Sequence, residues 1–186
     1  DSTAQDTDYP YAQRKNLNVP VYQGKELRRL NETDKTAIQE EWARLWMHGP
    51  GVLVIEGFYE ELAVVQSMTS LFLAIIFEEE KSKHPVGDHF GKANANQRLW
   101  NALEKAAVAN PESFIDYYQN PILSWVAEAW LGPGYQLTAQ VNLIRPGCES
   151  QSPHRDYHLG FQTDAAVVKF PLHAQSMSAQ LTLQGA

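Results

Sequence analysis

The apolar positions of this chain change their period near residue 134, which divides it into a helical part and a strand-like part. Ile38, Trp42, Leu45 and Trp46 recur at i, i+4, i+7 and i+8, one stripe of an amphipathic helix over about Thr33 to His48. Asn31 or Thr33 suits its N-cap, and Gly49-Pro50-Gly51 stops it. Val52-Leu53-Val54-Ile55 then predicts a short strand buried on both faces. A second helix is predicted over about Glu60 to Lys83, with Val65, Met68, Phe72, Ile75 and Ile76 inward and Glu78-Glu79-Glu80-Lys81 as a solvated end. Periodicity lapses from His84 to Asn96, the pattern of a loop of the kind that covers a site. Helical spacing returns over about Gln97 to Val108, Pro111 to Tyr118 and Pro121 to Leu131, with Pro111 and Pro121 where helices begin.

Gly132-Pro133-Gly134 ends the helical part, and Tyr135 to Ile144 alternates. Gln136, Thr138, Gln140 and Asn142 fall on one face; Leu137, Ala139, Val141 and Leu143 fall on the other. Val167-Val168 and Ala179 to Leu183 are further strand candidates. Helices first and strands second predict an α+β fold, not a βαβ series. Residues 1–30 are polar and read as an extended N-terminal arm, leaving 31–186 as a single domain. Trp42, Trp46, Trp125 and Trp130 fit helical inner faces and are expected in the core.

Composition narrows the function classes. The hydrophobic share of 44% and charged share of 20% are those of a globular chain and exclude wholesale disorder. Asp and Glu outnumber Lys and Arg by 22 to 15, so the surface lacks the basic excess of a nucleic-acid or anionic-membrane binder. The single cysteine, Cys148, excludes an internal disulfide and a cysteine-based zinc finger, and it reads as an inert thiol in a polar turn. The cleanest apolar run, Leu71 to Phe77, is far short of the roughly 20 residues that span a bilayer. No signal-like apolar core follows Asp1-Ser2-Thr3. The expectation is a soluble cytoplasmic protein with a small-molecule substrate and neither nucleic acid nor membrane as partner.

His154-Arg155-Asp156 is the chemically informative tripeptide. On an extended segment residues i and i+2 point the same way, so the His154 imidazole and the Asp156 carboxylate can converge on one ion. A histidine and a carboxylate are two thirds of the facial triad that holds non-haem Fe(II) with open positions. Alone, the tripeptide is equally a surface histidine beside an ion-paired aspartate. His158 does not complete the triad locally, because four residues of strand span about 13 Å. The polar row Gln136, Thr138, Gln140 and Asn142 lines either solvent or the wall of a polar pocket beside the motif.

Leu131-Gly132-Pro133, Asn142, Arg145-Pro146-Gly147, Gln151 and His154-Arg155-Asp156-Tyr157-His158 together resemble the phytanoyl-CoA dioxygenase family. Gly51-Val52-Leu53-Val54-Ile55-Glu56-Gly57-Phe58 resembles that family's opening strand, and the resemblance covers most of the chain from about residue 30. It implies a double-stranded β-helix (a cupin-like jelly roll) with flanking N-terminal helices, and the use of Fe(II), 2-oxoglutarate and O2. It makes His154 and Asp156 the catalytic metal ligands and places Gln140 and Asn142 where the family's strand touches 2-oxoglutarate. It also implies a second metal-binding histidine and a carboxylate-pairing arginine well downstream. Only 30 residues follow Asp156, His173 comes too early, and no arginine follows Arg155. A jelly roll needs about eight strands, so a remaining C-terminal segment of the same protein is expected to complete barrel and site.

The resemblance implies a dioxygenase that oxidises a C–H bond, with hydroxylation as the expected outcome. Two readings stand beside it: a non-catalytic cupin-like protein that binds a metabolite or a partner, and a divalent-metal hydrolase or isomerase. His84, His89, Lys92, Arg98 and Trp100, in or beside the loop, are either pocket lining or, for Trp100, core and, for the others, solvated surface.

Overall fold

In the computed structural model, which describes residues 8–82 and 96–146, residues 8–30 of the predicted arm are no surface arm, since Tyr9, Val21, Tyr22 and Leu27 are buried. They include an antiparallel hairpin of β1 (Arg14–Asn16) and β2 (Val19–Gln23). Leu17 and Asn18 both hold positive φ, 49° and 70°, as a two-residue hairpin turn requires. β2 also pairs in parallel with β3 (Val54–Glu56), giving the order β1-β2-β3. Pro20 argues against a central strand, yet β3 begins only opposite Val21, so no ladder bond is lost. Among the described residues β3 is an edge strand with one face outward. Val52 and Val54 are therefore 47% and 44% exposed, and the expected burial on both faces is corrected to one.

After β2 a short helix, α1 (Gly24–Leu27), turns the chain against the exit of β3. A Cβ on Gly24 would lie 2.1 Å from the Gly57 carbonyl oxygen, so only glycine permits this approach. Arg28 fastens the same place by donating to the carbonyls of Gly57, at 3.1 Å, and Phe58. The predicted first helix is α2 (Glu32–His48), capped by Asn31 Oδ1, which accepts the Asp34 N–H at 2.9 Å. It packs on α6 (Pro121–Leu131), whose Ile122 and Val126 join Tyr9, Tyr22, Leu27, Ile38, Trp42 and Leu45 in one core. These elements make a compact unit of residues 8–60 and 121–135. All four helical tryptophans lie in or against this unit's apolar interior, Trp46 meeting Trp130 edge-on at 5.8 Å.

Glu41 is fully buried in that core. Its Oε1 accepts the Tyr22 hydroxyl at 2.7 Å, and its Oε2 accepts the Tyr11 N–H at 3.3 Å. The two bonds tie the N-terminal segment to α2. Desolvation raises the Glu41 pKa, opposed by those donors and by the charge of Arg44. A raised folded pKa gives stability that is present below the unfolded value, about 4.3, and is lost as pH rises through the folded value. Glu41→Gln is therefore expected to flatten the decline in stability as pH rises above the unfolded value; urea melts of both proteins across a pH series check it. An unchanged slope would contradict the assignment.

The second unit comprises residues 61–82, 96–120 and 136–146. Its elements are α3 (Leu62–Lys81), β4 (Asn96–Leu99), α4 (Ala102–Ala109), α5 (Pro111–Tyr118) and β5 (Val141–Ile144). Residues 97–99 are strand, where helical spacing predicts helix. Pairing of Gln97 with Leu143 and Leu99 with Val141 decides the matter, and Asn101, at φ 53°, turns the chain into α4. Pro111 opens α5 as expected, with Asn110 accepting the Ser113 N–H at 3.0 Å. The core of this unit joins Ile76, Leu99 and Ala102 to Phe72, Ile75, Ala139, Val141 and Leu143.

α3 is, by length and composition alone, long and apolar enough to cross a membrane, a property the shorter run Leu71 to Phe77 does not announce. Its Leu62 and Phe77 are 67% and 46% exposed, while its inner side packs on α4, α5 and β4. The acidic end is not simply solvated, because Glu79 pairs with Lys105 and Glu80 with Arg145. Neither the three-stranded nor the two-stranded sheet closes into a barrel among the described residues, which form an α+β arrangement. The loop residues 84–95 and the strand candidates beyond residue 146 lie outside the described residues.

Candidate functional site

The ribbon of β4 and β5 carries the described part of the candidate site. Strand alternation sends Leu99, Val141 and Leu143 into the core and leaves Asn142 and Ile144 exposed. The predicted strand from Tyr135 shrinks to Val141–Ile144, because four-residue β4 supplies ladder partners for four residues only. Its polar row survives as exposure: Gln136, Thr138, Gln140 and Asn142 all face out, although Leu137, at 39%, leaves the inner face.

Asn142 stands directly opposite Arg98 in the antiparallel register, and Arg98 Nε donates to Asn142 Oδ1 at 2.9 Å. This orients the Asn142 amide and directs its nitrogen, which has no acceptor among the described residues, away from the arginine. The Arg98 guanidinium also lies 5.1 Å from the centre of the Trp100 ring, a cation–π distance. Gln140 is exposed and makes no hydrogen bond among the described residues. A guanidinium beside an outward amide N–H is donor chemistry suited to a carboxylate. The sequence offers Arg98 as pocket lining or solvated surface, and its cross-strand pairing is what brings it to Asn142.

At the end of β5, Arg145 is held by two elements. Its guanidinium donates to Glu80 Oε1 at 2.7 Å and to Gln97 Oε1 at 2.8 Å. Its side chain and that of Glu80 are 37% and 29% exposed, so water screens the pair only in part.

His154 and Asp156, the candidate metal ligands, lie outside the described residues, as do His158, Cys148 and His173. Among the described residues no group of three or more His, Cys, Asp or Glu side chains could hold a metal ion. The described residues show the Arg98–Asn142 pair, and the candidate metal ligands belong to the sequence that follows.

A family model described as phytanoyl-CoA dioxygenase (PhyH) matches residues 47–180. The chain belongs to the phytanoyl-CoA dioxygenase family. Neither the curated proteins nor the solved structures give a match. The matched span includes β3, the whole second unit, the Asn142–Arg98 pair and the His154-Arg155-Asp156 tripeptide. At family level the membership implies a cupin-like jelly-roll fold and an oxygenase activity of the kind that depends on Fe(II) and 2-oxoglutarate.

Proposed function

We propose that this protein is an Fe(II)- and 2-oxoglutarate-dependent dioxygenase that oxidises, most simply hydroxylates, a C–H bond of a small-molecule substrate. The observation that carries the reading is the family match across residues 47–180, a span that contains His154-Arg155-Asp156. In this reading His154 and Asp156 are the metal ligands. The bound metal, with 2-oxoglutarate and O2, supplies the oxidising chemistry.

The chain's own residues supply binding and orientation. Asn142 faces the cosubstrate and donates its amide N–H to a carboxylate or keto oxygen without adding charge. Arg98 holds the Asn142 oxygen, so the amide does not flip and its N–H stays turned to the ligand. Gln140, two residues earlier on the outward side, offers a second amide to the same ligand. The core packing of Val141 and Leu143 fixes the alternation that presents these groups.

The test uses the full-length protein with Fe(II) in air and follows conversion of 2-oxoglutarate to succinate. Turnover that disappears with an iron chelator and returns with Fe(II) is the expected result. Asn142→Ala should raise the 2-oxoglutarate requirement about tenfold, the size of one lost hydrogen bond to a charged group. Its melting temperature should change little, since the side chain is exposed. A lower melting temperature with an unchanged requirement would make Asn142 a structural residue.

A further inference from the structure

We propose that residues 8–13 form a pH-sensitive strap over α2, closed on the buried Glu41 side chain and able to open while the rest of its unit stays folded. The strap precedes β1 and lies before residue 47, outside the span of the family match, so it stands apart from the dioxygenase reading. Two tyrosines close it on α2. The buried Tyr9 sets its hydroxyl against Gly49, where a Cβ would come within 2.2 Å of that oxygen. The Tyr11 N–H donates to Glu41 Oε2 at 3.3 Å, and the Tyr11 hydroxyl donates to Asp34 Oδ1 at 3.1 Å. The Gln13 N–H then donates to the Val21 carbonyl at 2.9 Å, which joins the strap to the hairpin and marks its hinge.

The other partner of Glu41 belongs to firmer structure. Tyr22 is fully buried on β2, which pairs with β1 on one side and β3 on the other. Trp42 packs edge-on against it, and α6 meets the same core with the apolar Ile122 and Val126. Residues 9–13 belong to no helix or strand, so the strap opens at lower cost than its neighbours. The charged groups that face this contact are Asp34 and Arg44 of α2 and Asp8 and Lys15 of the N-terminal segment. Burial raises the hydroxyl pKa values of Tyr9, Tyr11 and Tyr22, so these stay neutral while Glu41 titrates. The closed strap keeps water from the Oε2 side of Glu41 and thereby favours its neutral form. Opening hydrates the carboxylate. The open form therefore holds the proton less tightly, and rising pH shifts the balance toward it.

The experiment is hydrogen exchange of the full-length protein across a pH series, read by mass spectrometry as protection factors for residues 8–13, β2 and α2. Strap protection should fall as pH rises, approaching about tenfold per pH unit, the limiting slope for one released proton. β2 and α2 should keep theirs. Glu41→Gln should abolish the slope, whatever its level of protection. Tyr11→Phe, which removes the bond to Asp34, should lower strap protection about tenfold and keep the slope, which separates Glu41 from Asp34 as the titrating group. If Glu41→Gln does not fold, the wild-type slope and Tyr11→Phe decide. Strap protection that is flat with pH, a slope shared by β2 and α2, a slope that persists in Glu41→Gln, or one lost in Tyr11→Phe overturns the proposal.

Discussion

Replacing His154 or Asp156 with alanine in the full-length protein is expected to abolish Fe(II)-dependent consumption of 2-oxoglutarate and leave the protein folded. In this reading each residue would supply a lone pair to the metal. Loss of a supporting residue already weakens metal sites by about 10–100-fold, so loss of a direct ligand should exceed 100-fold. Asp156→Glu should fail as well, because the longer arm moves the carboxylate by about one bond and disturbs the ligand geometry. The check is the initial rate of 2-oxoglutarate loss at saturating Fe(II), with circular dichroism to confirm the fold. Wild-type consumption by either alanine variant would remove that residue from the metal site.

The largest effect on stability is expected from Trp42→Ala. Trp42 is fully buried, meets Tyr22 edge-to-face at 5.8 Å and lies 6.5 Å from Trp46. It stands at the centre of α2, between the N-terminal hairpin and α6. Truncating a buried tryptophan removes its burial and opens a cavity that a packed core only partly closes, about 3–5 kcal/mol in total. One partial offset is known: the indole nitrogen is buried without a hydrogen-bond partner among the described residues, so its removal relieves an unmet donor. Trp100→Ala, outside both cores, should cost far less. Equilibrium urea unfolding of the two variants measures the contrast, and a Trp42→Ala loss below about 1 kcal/mol would contradict the packing described.

What the sequence revealed follows from the range of the forces involved. α2, α5 and α6 are legible because cap, stripe and stop are local: Asn31, the Ile38–Trp42–Leu45 stripe and Gly49 for α2, Pro111 for α5. The N-terminal hairpin escaped because Leu17-Asn18 is an unusual turn pair and Pro20 argues against a strand. β4 escaped because four residues hold too little pattern to outweigh an adjoining helix, and its pairing partner lies more than forty residues away. Glu41 had a visible signal, an acidic residue set between Ile38, Trp42 and Leu45 on the inner stripe, though only the fold reveals Tyr22 and Tyr11 as its donors.

The candidate site divides the same way. His154-Arg155-Asp156 and Asn142 are legible because the family resemblance is carried by residue order along the chain, and the match over residues 47–180 bears out that family. The link from Arg98 to Asn142 and that from Arg145 to Glu80 and Gln97 depend on antiparallel register and helix docking, which no local window contains.

The central claim is tested most directly by mixing the full-length protein with Fe(II) and 2-oxoglutarate in the absence of oxygen and recording the visible spectrum. A weak charge-transfer band that needs both components, and that bleaches when air is admitted as succinate forms, is the predicted result. A spectrum unchanged from the sum of its components, with no succinate after aeration, would contradict the dioxygenase assignment.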